Sequence, residues 1–470
     1  MSFLAQRKRK YDLILPSMSL SILKKQYESK QIFVEQSIIT KQSRISSHEI
    51  SVIDLIKMAK ETMSVAISQN SDNFIYHNSF VWPSITSKDL QLVIVLQAAA
   101  INFSRQQFHQ ARNLLNICQR HASHDGNTLQ RLLYYYTEAL QEGIVGEIGG
   151  EILHKTPNGC QKYPALRESI RTVQAAVLEC NQKMPFCPVT QFTAVQAILD
   201  NVASSRRVHL VDLEIRSGSQ WPMLMQALAS RRDCPLEFLK ITAVGSSKEM
   251  IEETGNKLSS FAKSLNIPFA FKTVVTDLKN LDIEFFELEP DEALAVYSEL
   301  RLASLLAWPH HLESLIETIK KMRPCVMVTI EIDSNTNTPN FLDRFNASLF
   351  VTAAMLDCLD VCMGRDSLSR AIVEGVLFRR GIHYLVTSKG EEDIHRQENV
   401  GFWRDLFEKC GMVELELSSW ASYQATLVVE SNPRWSSCTL ERDGKGMTVG
   451  WKGATVHFLN VWKCDSFSDQ

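Results

Sequence analysis

Residues 206–222 read Arg-Arg-Val-His-Leu-Val-Asp-Leu-Glu-Ile-Arg-Ser-Gly-Ser-Gln-Trp-Pro. Val208 to Leu213 is an apolar, β-branched run of strand length, too short to be a helix of its own. Its near-continuous apolarity belongs to a strand buried on both faces, as in a parallel sheet. The carboxylate of Asp212 stands where the strand ends. Ser217, Gly218 and Ser219 make a turn, and Pro222 occupies a first-turn position. Met223, Leu224, Ala227 and Leu228 then carry a helical stripe. Strand, turn and helix in this order open a βαβ unit, and in such sheets ligands bind beyond the carboxyl ends of the strands.

The alternation continues downstream. Segments 238–244, 269–275, 293–300 and 326–332 read as strands, the third as a strand or strand-to-helix junction. Between and after them, Ile251, Leu258, Phe261 and Leu265 mark one helix. Leu312, Leu315, Ile316, Ile319 and Met322 mark a second, and Phe341, Phe345, Leu349, Leu356 and Leu359 a long third. This predicts a doubly wound sheet. The chain then changes character. Segments 414–417, 426–430, 448–451 and 456–462 read as consecutive strands, which implies antiparallel pairing at one side of the sheet.

Upstream the pattern is helical. Val52, Leu55, Ile56, Ala59, Met63 and Ala66 form one amphipathic stripe. From Asp89 three more come in turn: Leu92, Val95, Leu96, Ala99, Ala100 and Phe103; then Phe108, Ala111, Leu115 and Cys118; then Leu129, Leu132, Leu133, Tyr136 and Leu140. The first of the three also carries Leu90, Val93, Ile94, Ala98 and Ile101 on its other side. A helix apolar all round must be covered all round. Leu92, Val93, Ile94 and Leu96 are therefore candidates for pairing with a second molecule, with the residue 52–66 helix as a competitor within the chain. Glycine-rich 141–165 reads as a linker. A helix comes next near 169–180, Pro185 and Pro188 break the chain, and 193–199 is helical.

With 470 residues, 45% of them hydrophobic, there is material for a large core. Net charge is -3 and pI ≈ 6.5, so no whole-protein basic field advertises nucleic acid. Eleven dispersed cysteines read as reduced thiols. Cys358 and Cys362 sit four apart without companion ligands at metal-binding spacing. No uninterrupted apolar run reaches the length of a membrane span, and no apolar segment succeeds the first ten residues to make a secretory signal. Arg7, Lys8, Arg9 and Lys10 form a compact basic cluster of the nuclear-import kind, or a solvated charge run.

Val208-His209-Leu210-Val211-Asp212 resembles the VHIID block of the plant GRAS family of transcriptional regulators. Gln220-Trp-Pro222 and Leu224-Met-Gln-Ala-Leu228 resemble the family's segment just C-terminal to that block. The helices from 89 resemble the first leucine-rich region. Asn337, Pro339, Phe341, Asp343, Arg344 and Phe345 are similar to the PFYRE region. Arg396, Glu398, Trp403 and Arg404 are similar to its Arg-His-Glu and Trp-Arg sites. Trp451, Lys452, Gly453 and Trp462 are similar to the SAW region. The likeness spans about residues 89–464, closest to a DELLA-like or scarecrow-like branch. Ser217, Gln397 and Lys389 depart from the pattern, and no acidic Asp-Glu-Leu-Leu-Ala segment precedes residue 89.

The resemblance implies a Rossmann-like, methyltransferase-like core with a mostly parallel sheet, antiparallel C-terminal strands and an N-terminal helical cap. The division expected is 1–47 variable and poorly ordered in part, 48–88 amphipathic helix and connector, and 89–470 one domain, with 89–190 as cap and 191–470 as core. It implies a nuclear regulator whose partners are zinc-finger or other GRAS proteins, as a homo- or heterodimer, with DNA contacted indirectly. Direct DNA binding is the second reading, through Arg206, Arg207, Arg231, Arg232, Arg379 and Arg380. A non-catalytic small-molecule receptor or degenerate methyltransferase is the third. The turn at 214–218 has one glycine, and Ile215 and Arg216 crowd the place a nucleotide would take, so neither cofactor nor catalysis is expected. Asp212 then reads as a cap for the turn and His209 as a hydrogen-bonded core residue.

Overall fold

A computed structural model of the chain describes residues 50–68, 87–149, 170–387 and 396–464. The Arg7–Lys10 cluster, the variable 1–47 segment and the connector after residue 68 lie outside these residues.

β1 (Arg207–Asp212) lies at the centre of the parallel part of a nine-stranded sheet. β2 (Phe238–Gly245), β3 (Phe269–Val275), β4 (Ala293–Glu299) and β5 (Val326–Ile332) run parallel to it in the order β3-β2-β1-β4-β5. Helices return the chain between parallel strands: α7 (Trp221–Ala229) after β1, α8 (Lys248–Ser264) after β2, and α9 (Pro309–Lys321) after β4. The remaining strands are antiparallel. β9 (Ala454–Cys464) joins β5 and is long enough to be shared on its far side. β6 (Met412–Leu415) takes one half of that side and β8 (Gly446–Trp451) the other, with β7 (Cys438–Asp443) beyond β8. This is the doubly wound sheet with antiparallel C-terminal strands.

Two apolar layers sandwich the sheet. Val208 and Leu210 face the larger one, and Val211 and Leu213 the smaller. The alternation comes from the two-residue period of a strand, so every side chain of the central run is buried. α10 (Phe341–Cys362) crosses the larger layer. By length and composition it could span a membrane, which a count of uninterrupted apolar residues passes over because Asp343, Arg344, Asp357 and Asp360 interrupt it. In the fold it is a core helix, with Phe345, Leu349, Ala353, Leu356 and Leu359 buried against the cap and the sheet.

The cap is built on α2 (Lys88–Ser104). Ser87 opens it by accepting the Leu90 N–H. Leu92, Val93, Ile94 and Leu96 are all buried. The chain itself covers them, with α1 (Val52–Ser68), α3 (Phe108–Gln119), α4 (Thr128–Gly149) and α10 packed round the helix. The competitor within the chain thus takes the surface expected for a second molecule. Burying two faces of one helix leaves no apolar stripe for solvent.

Three local expectations change, and one strand went unread. Residues 141–149 continue α4 rather than start a linker, because Ile144 extends the buried stripe of Tyr136 and Leu140. After α5 (Ile170–Lys183), Pro188 lies inside α6 (Phe186–Asn201). It sits in the first turn, where its missing N–H is unpaired in any helix. Residues 426–430 are the end of α14 (Ser419–Glu430), not a strand. Ala421, Gln424, Ala425 and Val428 are buried at helical spacing, and Ser418 caps the helix through the Ala421 N–H. β-branched residues at 426–429 mimicked a strand there. β7, polar and half exposed, carried no apolar signal to be read.

Candidate functional site

The carboxyl ends of β1, β4 and β5 meet where a doubly wound sheet binds ligands. Asp212 is buried there. Its Oδ1 accepts the Glu214 N–H at 3.2 Å and its Oδ2 the Trp221 indole N–H at 2.9 Å. Burial pushes its carboxyl up to about 7, against the pull of those two donors. The motif aspartate ties the strand to the turn and helix after it, as the cap reading expects.

The turn itself is packed down. The Ile215 N–H bonds to the Val244 carbonyl, and Thr254 on α8 donates to the Arg216 carbonyl. Gly218 has φ +60°, and a Cβ there would lie 2.8 Å from Thr254 Cγ2. The one glycine is used for this close approach to α8. The exposed Arg216 guanidinium reaches across to the carbonyls of Glu299 and Leu300, both at 3.3 Å.

Neighbouring carboxylates are engaged in the same way. Glu299 accepts two bonds from Gln191 Nε2 and one from the Tyr297 hydroxyl. Glu331, at the end of β5, accepts the N–H groups of Arg301 and Leu302 at 2.9 and 2.7 Å. Burial pushes Glu331 up to about 7. Leu300 takes φ +52° to turn the chain toward it, a conformation costly for a bulky residue. Arg301 closes the edge on Glu214 at 3.2 Å.

The PFYRE-like residues gather just beyond β5. Asn337 donates to Glu398 Oε1 at 2.7 Å and accepts from Arg396 at 3.2 Å. Burial raises the Glu398 carboxyl. Arg344 donates to the carbonyls of Thr338 and Pro339, bracing the turn into α10. Phe341 packs on Phe103 of the cap, at 5.3 Å between centroids, while Asp343 is exposed. Trp403, on α13 (Val400–Lys409), is buried, and Arg404 beside it bridges Glu414 and Asp443.

The SAW-like residues serve the antiparallel strands. Trp451 and Trp462 are fully buried. Trp451 donates to Asp357 of α10 at 2.6 Å, and Lys452, at φ +49° beside Gly453, pairs with the same carboxylate. Trp462 donates to Thr329 and stacks on Phe407.

His209 sits at the opposite, amino end of β1, away from the edge that holds Asp212. Its Nε2 meets Thr242 Oγ1 at 2.8 Å, and its Nδ1 lies 3.4 Å from Glu292. Burial, with Lys240 and Lys272 nearby, lowers the imidazole to about 3. The ring is neutral and joins β1 to β2 through Thr242, with Glu292 beside it just before β4, as the core reading expects.

Several key groups escaped the sequence. Arg131 bridges Asp360 and Glu374, and Arg370 bridges the same two carboxylates, a buried square binding the cap to α10. Thr242, Glu292 and Asp357 are likewise partners of motif residues. Apart from Arg370, four residues from Glu374 and ten from Asp360, each lies far along the chain from the group it serves, and no local pattern marks it. Among the described residues no group of three or more His, Cys, Asp or Glu is placed to hold a metal ion. Cys358 and Cys362 lie 3.8 Å apart, packed in the core.

The arginine doublets are largely used internally. Arg206 pairs with Glu237, Arg207 with Asp291 and Glu292, and Arg379 with Glu138. Arg231 bonds the carbonyls of Val202 and Ser205.

The GRAS domain family model matches residues 92–463. The chain is 32% identical to the DELLA protein RGL1 of Arabidopsis thaliana over 284 residues, 60% of this chain and 55% of that protein. It is 29% identical to the SCARECROW protein of Pisum sativum over 386 residues, 80% of this chain and 44% of that one. The chain thus spans about half the length of these relatives. Among solved structures, SCL7 of Oryza sativa superposes with a TM-score of 0.72 at 25% identity, covering 80% of this chain and all of that one. The family model covers most of the chain, and the chain belongs to the plant GRAS family.

Proposed function

We propose that the protein is a nuclear transcriptional regulator in plant development or hormone signalling. It acts through protein–protein contacts with DNA-binding partners of the zinc-finger or GRAS type, and it is not an enzyme. Family membership supports regulation. The observation that carries the indirect mode is the use of the arginines: Arg206, Arg207 and Arg379 are each held by a carboxylate within the chain. A guanidinium already paired gains less from a phosphate, and DNA affinity rests on such contacts. In a mobility-shift assay the purified chain should leave DNA unshifted and should supershift a zinc-finger partner's complex. Specific, steeply salt-dependent binding by the chain alone would overturn this reading in favour of direct DNA contact.

Nuclear entry is assigned to Arg7–Lys10. A fluorescent fusion with all four changed to Ala should lose nuclear enrichment, and undiminished enrichment would remove the assignment.

One observation favours the third, small-molecule reading: Arg216 is exposed at the carboxyl edge of the sheet. Against it stand the crowded turn and its spent backbone groups. Calorimetry with S-adenosylmethionine and with NAD should detect no site. A dissociation constant below about 10 μM, roughly 7 kcal/mol, would reverse the non-enzyme assignment.

A further inference from the structure

We propose that the outer edge of β3, with the acidic segment 281–292 beside it, is a docking site for an extended, arginine- or lysine-rich segment of a partner protein. This rests on the reading of the chain as a protein that works by binding partners, and it names the surface and the chemistry.

β3 ends the strand order and, among the described residues, pairs only with β2. The Leu239 N–H bonds to the Pro268 carbonyl and the Thr276 N–H to the Gly245 carbonyl. With the parallel register, the even-numbered residues 268–276 therefore turn their backbone toward β2. Phe269, Phe271, Thr273 and Val275 turn their N–H and C=O groups outward. Sheet edges are ordinarily guarded by charge. The opposite edge, β7, exposes Glu441 and Arg442. β3 carries one charge, Lys272, already paired with Glu287 at 2.6 Å. Val275 is 50% exposed.

Side chains of β3 alternate between two surroundings. Phe271 packs on α8, where a Cβ on Gly255 would come within 2.4 Å of its ring. A groove of about 600 Å³ runs along the strand, lined by residues 270–273 of β3, by Arg207 and Lys240, and by Glu287, Glu289 and Glu292. Segment 281–292 holds six acidic residues and no basic one. Arg207, Lys240 and Lys272 engage Asp291, Glu292 and Glu287. Glu284 and Glu289 make no ion pair among the described residues, and exposed Phe285 stands between them in sequence. An incoming strand would bond to the outward groups of β3 and set every second side chain toward this acidic rim. Alternate basic residues satisfy that charge.

The test uses the full chain and a fluorescein-labelled peptide of about ten residues alternating Arg and Val, read by anisotropy. The same peptide with Glu for Arg is the control. The Arg peptide should bind, more weakly as salt rises, and the Glu peptide roughly tenfold less well or worse. Thr273→Pro removes an outward N–H and no β2 bond, a substitution tolerated on edge strands. It should weaken binding roughly tenfold or more with an unchanged melting temperature. The exposed pair Glu284→Lys/Glu289→Lys should do the same and serves if the proline variant melts early. Equal binding by both peptides, or undiminished binding by the folded variants, overturns the site. So does self-association abolished by Thr273→Pro, which would assign the edge to a second copy. A nuclear partner captured equally by wild type and Thr273→Pro overturns the surface and leaves the partner reading standing. A wild-type chain that engages no DNA-binding partner overturns the reading beneath it.

Discussion

Trp221 donates its indole N–H to Asp212 Oδ2 at 2.9 Å, joining the last residue of β1 to the first of α7 across the turn. The ring also packs edge-on against Tyr297, 4.9 Å between centroids, so one side chain ties three neighbouring elements. Trp221→Phe keeps most of the volume and strands a buried carboxylate oxygen. It should cost about 1–3 kcal/mol, seen as a lower urea midpoint. An unchanged midpoint would mean that the bond contributes nothing.

Titration gives a second handle. Folding lowers the His209 imidazole from 6.5 to about 3, so the folded state binds fewer protons below pH 6.5. Stability tied to neutral His209 is complete above that point and is lost as pH falls from it toward 3. At pH 5 the loss is about 2 kcal/mol. Asp212 and Glu331, raised to about 7, act with the opposite sign: their contribution is fullest below the ordinary carboxylate range and is lost as pH rises through about 7. A difference between wild type and His209→Gln isolates the first effect. The wild type should lose about 2 kcal/mol more than the variant between roughly pH 7.5 and 5, and parallel losses would place the dependence elsewhere.

Trp451 anchors β8 to α10 through Asp357. Trp451→Ala removes a fully buried ring and should cost about 3–5 kcal/mol. Asp357→Ala leaves the Trp451 N–H and the Lys452 ammonium without their shared acceptor and should lower the melting temperature less. A Trp451→Ala protein that melts like wild type but loses partner binding would make this residue an interface rather than an anchor.

Val93 and Ile94 separate two accounts of the cap. Both are buried within the chain. The double change to Glu places unpaired charge in the core, at about 3 kcal/mol or more, and should yield insoluble or unfolded protein. A folded monomer by circular dichroism and light scattering would return this face to an external partner.

The sequence by itself determined the parallel strands, the helices between them and the cap helices. Each carries its signal within ten or twenty residues, as a two- or 3.6-residue apolar period between turn residues. It determined family membership in the same way, because ordered motifs are local strings. Local strings also misled: Thr426–Val429 looks like a strand, and what makes it helix is the burial of Ala421, Ala425 and Val428 on one face. Only the tertiary structure decided what the motif residues do. His209 needs Thr242 and Glu292, Trp451 needs Asp357, and Arg131 needs Asp360, 229 residues away. Only the structure decided that α2 is covered by its own chain, and that among the described residues β3 ends the sheet, paired with β2 alone. Apolar burial carries no address. A side chain's period says that it must leave water, and only the packed chain determines which surface receives it.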